Sequence, residues 1–222
     1  DVEVLTTCAA DYVTWRNVYP AGASRVGRLS VLRFPAVAER HLGRLAELSE
    51  VVFTTKSTAA EQEAWFVENG PQVPALLDHL GTHGGEYDRI LFWTYRYYQT
   101  FFGLPLVADR AILVPTAEED PLIWVEILDR WFAKPSGFLF LTPEEAELVQ
   151  GRCPGLRRPS AVIGCGVEPV QARPAVGAAA SLAERGVRDP FILYLGRIER
   201  NKGCETLLEY FDRALESGGP PV

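Results

Sequence analysis

The chain contains no methionine, not even at its first position. We therefore expect a fragment or a processed chain whose first residue is not the start of translation. No apolar run is long enough to cross a bilayer, and the first residues lack the basic, apolar and small-residue zones of a secretion signal. These absences predict a cytoplasmic protein without a transmembrane segment.

Positive charge is in deficit, since 22 Lys and Arg stand against 29 Asp and Glu and give a net charge of -7. This balance argues against general affinity for nucleic acid. The four cysteines are scattered, with no CxxC pair and no His at ligand spacing, so no metal site is expected. No GxGxxG motif follows a predicted strand, which disfavours a Rossmann-type dehydrogenase.

Short apolar runs alternate with segments of helical periodicity along the chain, and this alternation predicts a doubly wound, mostly parallel α/β sheet. The segment from Pro169 to Ala180 is rich in Pro, Ala and Gly, which is typical of an interdomain link. We therefore predict a domain over residues 1–168, a link over 169–189 and the beginning of a second α/β domain over 190–222.

A predicted phosphate site lies at the start of the second domain. Phe191 to Leu195 reads as a buried strand, Gly196 ends it, and a helix is expected to begin near Gly203. Arg197 and Lys202 lie on the connecting loop. A helix N-terminus offers unpaired N–H groups and a positive dipole end, so two cations beside it favour a diphosphate. A solvated charged loop remains the alternative interpretation.

Three consecutive carboxylates follow the predicted strand Ala111 to Val114. Glu119 and Asp120 are interpreted as the start of a helix from Leu122 to Phe132, because acidic groups stabilise a helix N-terminus. Glu118, the first after the strand, is the catalytic candidate, since sites of α/β proteins lie at strand C-termini.

The segment with Gly196, Arg197, Lys202 and Gly203 resembles the donor-phosphate motif of family 4 glycosyltransferases, which have the GT-B fold. The stretches VEVLTTCA, VYPAG, YDRILFWTY, ILVPT, FLFLTPEEAELV and VIGCGVE are similar, in this order, to the N-terminal half of a bacterial member. The resemblance covers nearly the whole chain. It implies a Rossmann-like sheet lacking its first strand, followed by the first β-α unit of a second Rossmann-like domain.

The resemblance implies a hexosyltransferase-like enzyme of carbohydrate biosynthesis that moves a sugar from a nucleotide sugar to a hydroxyl of a glycan, glycolipid or small molecule, with retention of configuration. A UDP- or GDP-sugar is the co-substrate, with no permanently bound cofactor. Arg197 and Lys202 would neutralise the diphosphate. Tyr95, Arg96 and Tyr98 carry polar ends suited to the acceptor side.

Three departures from the family pattern limit these expectations. The chain lacks the family's first strand and glycine-rich loop, and it stops before the pair of Glu residues that completes the donor site. Glu118 stands where relatives often carry His. The fragment alone is expected to be inactive, with exposed apolar surface from residue 190 onward. A noncatalytic sugar- or partner-binding relative remains the alternative, and peripheral membrane contact through the missing parts stays open.

Overall fold

The computed structural model describes residues 1–54, 56–155, 157–168, 177–187, 191–198 and 202–218. The chain divides into two compact units, Asp1–Gly166 and Val167–Val222. Residues 169–176, 188 and 189 of the predicted link, together with Pro190 at the start of the second predicted domain, lie outside the described residues. The predicted domain boundaries stay predictions.

The described residues of the first unit form seven strands in two sheets. One sheet has the order β1-β3-β2, with β1 parallel and β2 antiparallel to β3; the other is entirely parallel, with the order β4-β5-β6-β7. The strands are β1 (Glu3–Thr7), β2 (Gly22–Val26), β3 (Leu29–Phe34), β4 (Ile90–Trp93), β5 (Ala111–Val114), β6 (Gly137–Phe140) and β7 (Ser160–Val162).

Helices flank the parallel sheet, so the predicted α/β class with a parallel sheet is confirmed. In the first unit they are α1 (Leu42–Thr54), α2 (Ala59–Asn69), α3 (Pro74–His83), α4 (Tyr98–Gly103), α5 (Leu128–Trp131) and α6 (Pro143–Arg152). No helix within the described ranges is long and apolar enough to cross a membrane.

The core of the first unit lies between the parallel strands and these helices. Phe66 of α2 is completely buried and stacks on Phe101 of α4, with ring centroids 3.8 Å apart. The strands contribute Leu113 and Phe140, each at most 1% exposed. Burial of such side chains is the main source of stability for the layered arrangement.

The predicted helix from Leu122 to Phe132 is broken into a single 3-10 turn, Pro121–Trp124, and the short helix α5. Val125 between them is extended. The Arg152 guanidinium donates to the carbonyl oxygens of Ile123 and Val125, and the Gln62 side chain accepts from the N–H of Ile127. These side chains take the place of helical backbone partners, which explains the break.

Two further predictions in the first unit need correction. The aromatic sequence from Ala9 to Arg25 predicts a long loop, but strand β2 begins within it at Gly22 and pairs with β3. Leucines at helical spacing predict a helix from Ala38 to Leu48, but the observed helix begins at Leu42. The Arg40 guanidinium instead donates to the carbonyl oxygen of Asn69, and His41 Nδ1 accepts from the N–H of Arg44. Such a side-chain acceptor fixes a helix start.

The described residues of the second unit form two helices, α7 (Ala178–Glu184) and α8 (Cys204–Glu216). The predicted strand Phe191 to Leu195 has no strand partner here, and Leu195 is 92% exposed. A strand needs neighbouring strands for its backbone groups, and residues 177–187 and 202–218 supply only helices and turns. The expected exposed apolar surface is present in this unit.

Candidate functional site

The carboxyl ends of the first unit's strands carry its unusual backbone conformations. Among the described residues, three non-glycine residues have positive φ: Trp15 (57°), Thr94 (60°) and Thr116 (49°). Trp15 lies in the loop after β1, Thr94 directly follows β4, and Thr116 comes two residues after β5. Because strained non-glycine backbone concentrates at ligand sites and active sites, this edge is the candidate site of the first unit.

The loop after β5 is anchored by a buried carboxylate, Glu145 of α6, which is 6% exposed. Its Oε1 accepts from the N–H of Ala117 at 2.8 Å, and its Oε2 accepts from the N–H of Leu141 at 2.6 Å. The sequence predicts a capping box between Thr142 and Glu145, but only half of it forms: Thr142 Oγ1 accepts from the Glu145 N–H, while the carboxylate binds elsewhere.

Asp120 anchors the other side of the same loop. Its Oδ1 accepts from the N–H groups of Leu122 and Ile123, so its predicted role at a helix start is confirmed, although the helix is a single 3-10 turn. Its Oδ2 forms a half-buried ion pair with Arg96 from the loop after β4. Burial opposes the charge on Arg96, but nearby Tyr95 and Asp120 outweigh it and raise the guanidinium pKa.

Glu118 lies between these two anchors and is exposed. Its carbonyl oxygen accepts from the N–H of Asp120, whereas its carboxylate makes no hydrogen bond or ion pair with any described residue. The neighbouring backbone is held by Glu145 and by the Asp120 cap. Glu118 therefore presents, from a restrained turn at the sheet edge, a carboxylate whose oxygens have no hydrogen-bond partner among the described residues, although its charge contributes to the raised pKa of Arg96.

A second network joins the loop after β1 to the loop after β4. The Arg40 guanidinium donates to the carbonyl oxygens of Tyr12 and Asn69, and it lies 4.7 Å from the ring centroid of Trp15. The Asn69 side-chain amide donates to the carbonyl oxygen of Arg96 at 2.8 Å. Burial lowers the pKa of Arg40. Sequence reasoning missed Arg40 and Asn69, because each acts on loops distant along the chain.

Of the three residues predicted for the acceptor side, Arg96 is the one whose side chain contacts the loop after β5, through Asp120. Tyr95 is 0% exposed, packs its ring 5.3 Å from that of Phe132, and has a hydroxyl without a partner among the described residues. Burial raises the Tyr95 pKa. Tyr98 belongs to α4 and packs on Phe102 at 4.8 Å. The expectation that Tyr95 faces an acceptor is therefore wrong, because its ring completes the core.

Tyr97, which the sequence analysis did not select, contacts the loop after β1. Its ring meets that of Trp15 edge-on, with centroids 5.3 Å apart, and it lines the cleft between that loop and β4. It is also the residue directly before α4. The position of an aromatic residue between a strand end and a helix start is a sequence signal that favours Tyr97 over Tyr98 as a site residue.

The predicted phosphate turn lies in the second unit. Gly203 is the residue before α8 and has a φ of +72°, a conformation that glycine adopts without strain. The Tyr194 hydroxyl donates to the Arg197 carbonyl oxygen at 2.8 Å and lies 3.5 Å from that of Lys202. One hydroxyl thus contacts the backbone of both predicted cations, whose side chains are exposed.

Gly196 allows this contact with the Tyr194 hydroxyl. A Cβ atom at Gly196 would come within 3.1 Å of that oxygen, which is tighter than ordinary packing. The described residues contain no group of three or more His, Cys, Asp or Glu that suits a metal ion. The described residues of this turn offer backbone groups and the cationic side chains of Arg197 and Lys202.

The architecture defines an α/β protein whose four-stranded parallel sheet is flanked by helices, consistent with a Rossmann-like fold. Comparison of the chain with family models, with curated proteins and with solved structures gives no match. Its function must therefore be argued from the residues of the two units.

Proposed function

We propose that the protein is a nucleotide-sugar-dependent glycosyltransferase of the GT-B type, which moves a sugar from a UDP- or GDP-sugar to a hydroxyl acceptor. The supporting observation is Glu118, whose exposed carboxylate makes no hydrogen bond with a described residue and lies in a restrained turn at the carboxyl edge of a parallel sheet. Doubly wound α/β proteins bind their ligands at this edge. Because a carboxylate accepts hydrogen bonds, Glu118 suits a ligand rich in hydroxyl groups.

Glu118 would accept a hydrogen bond from a hydroxyl of the transferred sugar. A charged acceptor forms stronger hydrogen bonds than a neutral one, so one carboxylate contributes to both affinity and orientation. The anchors at Ala117 and Asp120 restrict the backbone on both sides, which lowers the entropy lost when the sugar binds. A role as base toward the acceptor hydroxyl is the second possibility for this residue.

Arg197 and Lys202 would bind the diphosphate of the donor. Both precede α8, a helix of 13 residues, and the Tyr194 hydroxyl lies close to the backbone of each. Arg offers a planar fork of donors and Lys a compact charge, which together suit adjacent phosphate groups. The N-terminal N–H groups of α8 add further donors in the same turn.

In the proposed reaction the bond between the anomeric carbon and the phosphate oxygen breaks, and a bond from that carbon to the acceptor oxygen forms. The acceptor proton passes to the leaving phosphate, so no separate base is needed. Negative charge grows on the phosphate as the bond breaks. Arg197 and Lys202 would stabilise that charge, and electrostatic stabilisation of this kind accelerates group transfer.

Titration with UDP and GDP tests the phosphate role directly. We expect Arg197→Ala and Lys202→Ala each to weaken nucleotide binding by about 10-fold to 100-fold, the range for a charge-assisted hydrogen bond. Arg213→Ala is the matched control, because Arg213 lies in the last turn of the same helix. Calorimetry on a form of the protein that transfers sugar measures the affinities. Absence of nucleotide binding, or an equal loss with Arg213→Ala, contradicts the proposal.

Glu118→Gln tests the sugar contact in a form of the protein that transfers sugar. We expect turnover to fall by about 10-fold or more, because the substitution removes the charge and keeps the size. Glu119→Gln, on the exposed neighbour, is the control. Unchanged turnover would remove Glu118 from the mechanism. Sugar binding without any transfer by the wild-type protein would support the noncatalytic binding protein instead.

A further inference from the structure

A basic pocket lies where α6 ends and the chain turns toward β7. Its volume of about 560 Å³ is within the usual range of small-molecule sites, about 300–1,000 Å³. The charged residues of its lining are three arginines and one aspartate: Arg152, Arg157, Arg158 and Asp129. This local excess of positive charge contrasts with the net charge of -7 of the whole chain. The pocket therefore favours an anionic ligand.

The pocket is separate from the candidate site of the first unit. Strands β6 and β7 are parallel, so α6 returns the chain from the carboxyl edge of the sheet to the opposite edge. Glu145 on the first turn of α6 holds Ala117 of the candidate site, whereas Arg152 is the last residue of the helix. The helix places about 10 Å between these two positions. A ligand of the pocket therefore binds away from Glu118.

Arg152 is held in a fixed position on one wall of the pocket. Its side chain is 12% exposed, its Nε donates to the carbonyl oxygen of Ile123 at 2.8 Å, and its Nη2 pairs with Asp129. Its Nη1 group has no hydrogen-bond partner among the described residues. That nitrogen carries two N–H donors. The pocket thus contains a preorganised cation with one end open to a ligand.

The other two arginines come from the segment between α6 and β7. The Arg158 Nη2 donates to the carbonyl oxygen of Ala133, a further lining residue, at 2.8 Å. Arg157 is exposed and makes no hydrogen bond or ion pair with any described residue. Three guanidinium groups around one cavity suit a ligand whose equivalent oxygens point in several directions, as those of a phosphate do. A carboxylate, with two oxygens in one plane, would engage fewer donors.

We propose that this pocket binds the phosphate group of a small soluble metabolite, at a site distinct from any donor or acceptor site. The Nη1 group of Arg152 and the guanidinium groups of Arg157 and Arg158 donate to the phosphate oxygens. Asp129 stays paired with the Nη2 group of Arg152, and its negative charge limits the affinity. The site is independent of the reaction that the protein performs.

Occupancy of the pocket would also affect the loop after β5. Helix α6 holds that loop at both ends, since Glu145 accepts from the N–H of Ala117 and Arg152 donates to the carbonyl oxygens of Ile123 and Val125. A phosphate on the Nη1 group would restrict Arg152 further, and the loop with it. We therefore expect bound phosphate to slow deuterium uptake in this loop. Unchanged uptake in the presence of bound phosphate would contradict the link.

Alkylation of Cys153 by iodoacetamide tests the proposal on the full chain, because Cys153 lines the pocket and is partly exposed. We expect orthophosphate, at matched ionic strength, to slow this alkylation by about threefold to tenfold, since an adjacent anion disfavours the reactive thiolate. Cys165, which is exposed and outside the lining, is the internal control. Peptide mapping by mass spectrometry measures both rates. Equal rates for Cys153 with and without phosphate would show that the proposal is wrong.

Cys204 distinguishes this pocket from the predicted diphosphate turn of the second unit. It directly follows Gly203 and begins α8. Protection of Cys153 that persists in Arg197→Ala would support a separate site in the first unit. Protection of Cys204 alone would mean that phosphate binds only in the second unit, and it would overturn the proposal.

Two variants of the lining should change the affinity in opposite directions. Arg157→Ala removes a cation and should weaken phosphate binding by about 10-fold. Asp129→Asn removes the carboxylate and should strengthen it by about twofold to fivefold, as for an exposed charge pair. Arg28→Ala is the matched control, because Arg28 is exposed and lies outside the lining. Weaker binding by Asp129→Asn, or an equal loss with Arg157→Ala and Arg28→Ala, would contradict the assignment.

Vesicles distinguish a soluble ligand from a lipid headgroup. We expect the chain to remain in the supernatant when phosphatidylcholine vesicles containing phosphatidic acid are sedimented. Sedimentation with these vesicles that Arg157→Ala abolishes, without protection of Cys153 by free phosphate, would identify a membrane lipid as the ligand and overturn the proposal.

Discussion

The two units of the chain differ most in what their apolar side chains contact. In the first unit Phe66, Leu113 and Leu128 are completely buried between a parallel sheet and its helices. In the second, no described side chain is buried, and Leu208 of α8 is 64% exposed. Helices gain most of their stability from packing one apolar face. The helices of the first unit therefore gain stability from burial that the described contacts of α8 do not provide.

The units also differ in how their candidate ligand groups are held. Glu118 lies between Ala117, whose N–H is bound by Glu145 of α6, and Asp120, whose carboxylate pairs with Arg96 from the loop after β4. Arg197 and Lys202 have their backbone contacted by Tyr194, a residue of the same short segment. The first site therefore depends on tertiary structure, whereas the described contacts of the second are local.

Core truncation gives the largest contrast between the units. We expect Phe66→Ala to lower the free energy of unfolding by about 3–5 kcal/mol, through lost burial and the cavity left against Phe101. Leu208→Ala should change it by about 0.5 kcal/mol or less, because the side chain is largely exposed. Urea titration followed by circular dichroism measures both. A large loss with Leu208→Ala would show that α8 packs on a partner.

Removal of the buried anchor has the next largest effect. Glu145→Ala leaves the N–H groups of Ala117 and Leu141 without their acceptor, and each unsatisfied group costs about 1–3 kcal/mol. We therefore expect a loss of about 2–4 kcal/mol by urea titration. Glu147→Ala on the same helix is the control and should be within about 0.5 kcal/mol of the wild type. Equal stability of the two variants would contradict the anchoring role.

The local contact in the second unit should matter for binding more than for folding. Tyr194→Phe removes the hydroxyl that donates to the Arg197 carbonyl oxygen. A net hydrogen bond is worth about 0.5–1.5 kcal/mol, so we expect UDP to bind about twofold to tenfold more weakly if this turn holds the diphosphate. Calorimetry measures the affinity. Wild-type affinity in this variant would mean that Tyr194 does not position the cations.

Local patterns predicted the elements of the parallel sheet and the start of α8. The apolar runs around Ile112 and Phe138 are short and bounded by turn residues, and both form strands. The α8 start follows from a glycine before a periodic segment. Asp120 was also placed correctly at a helix start, and its Oδ1 accepts from the N–H groups of the residues two and three positions ahead.

Predictions failed where the partner is distant along the chain. Glu145 matches a capping-box pattern with Thr142, yet its carboxylate binds the N–H of Ala117, 28 residues away. Tyr95 has a polar end that suits a surface, but the chain places its ring against Phe132. The predicted strand from Phe191 failed for the same reason, because a strand depends on neighbours that its own sequence does not specify.

The helix starts of the two units give the smallest and most specific test. Helix α2 has a complete capping box: Thr58 Oγ1 accepts from the Glu61 N–H, and the Glu61 carboxylate accepts from the N–H and hydroxyl of Thr58. Helix α8 begins at Cys204, directly after Gly203, and has no side-chain cap. The hydrogen bonds from Thr58 lower the pKa of Glu61, so the cap of α2 depends on acid.

A lowered folded-state pKa fixes the sign of the effect. The stabilisation by Glu61 is complete above the ordinary pKa of a glutamate, about 4.3, and is lost as the pH falls through the lower folded-state pKa. We expect the urea midpoint of Glu61→Gln to lie below that of the wild type at about pH 6 and to converge with it near pH 3. Glu63→Gln, an exposed neighbour on α2, should stay close to the wild type near pH 6. A difference between Glu61→Gln and the wild type that persists at low pH would show that the cap acts through the shape of the side chain and not through its charge.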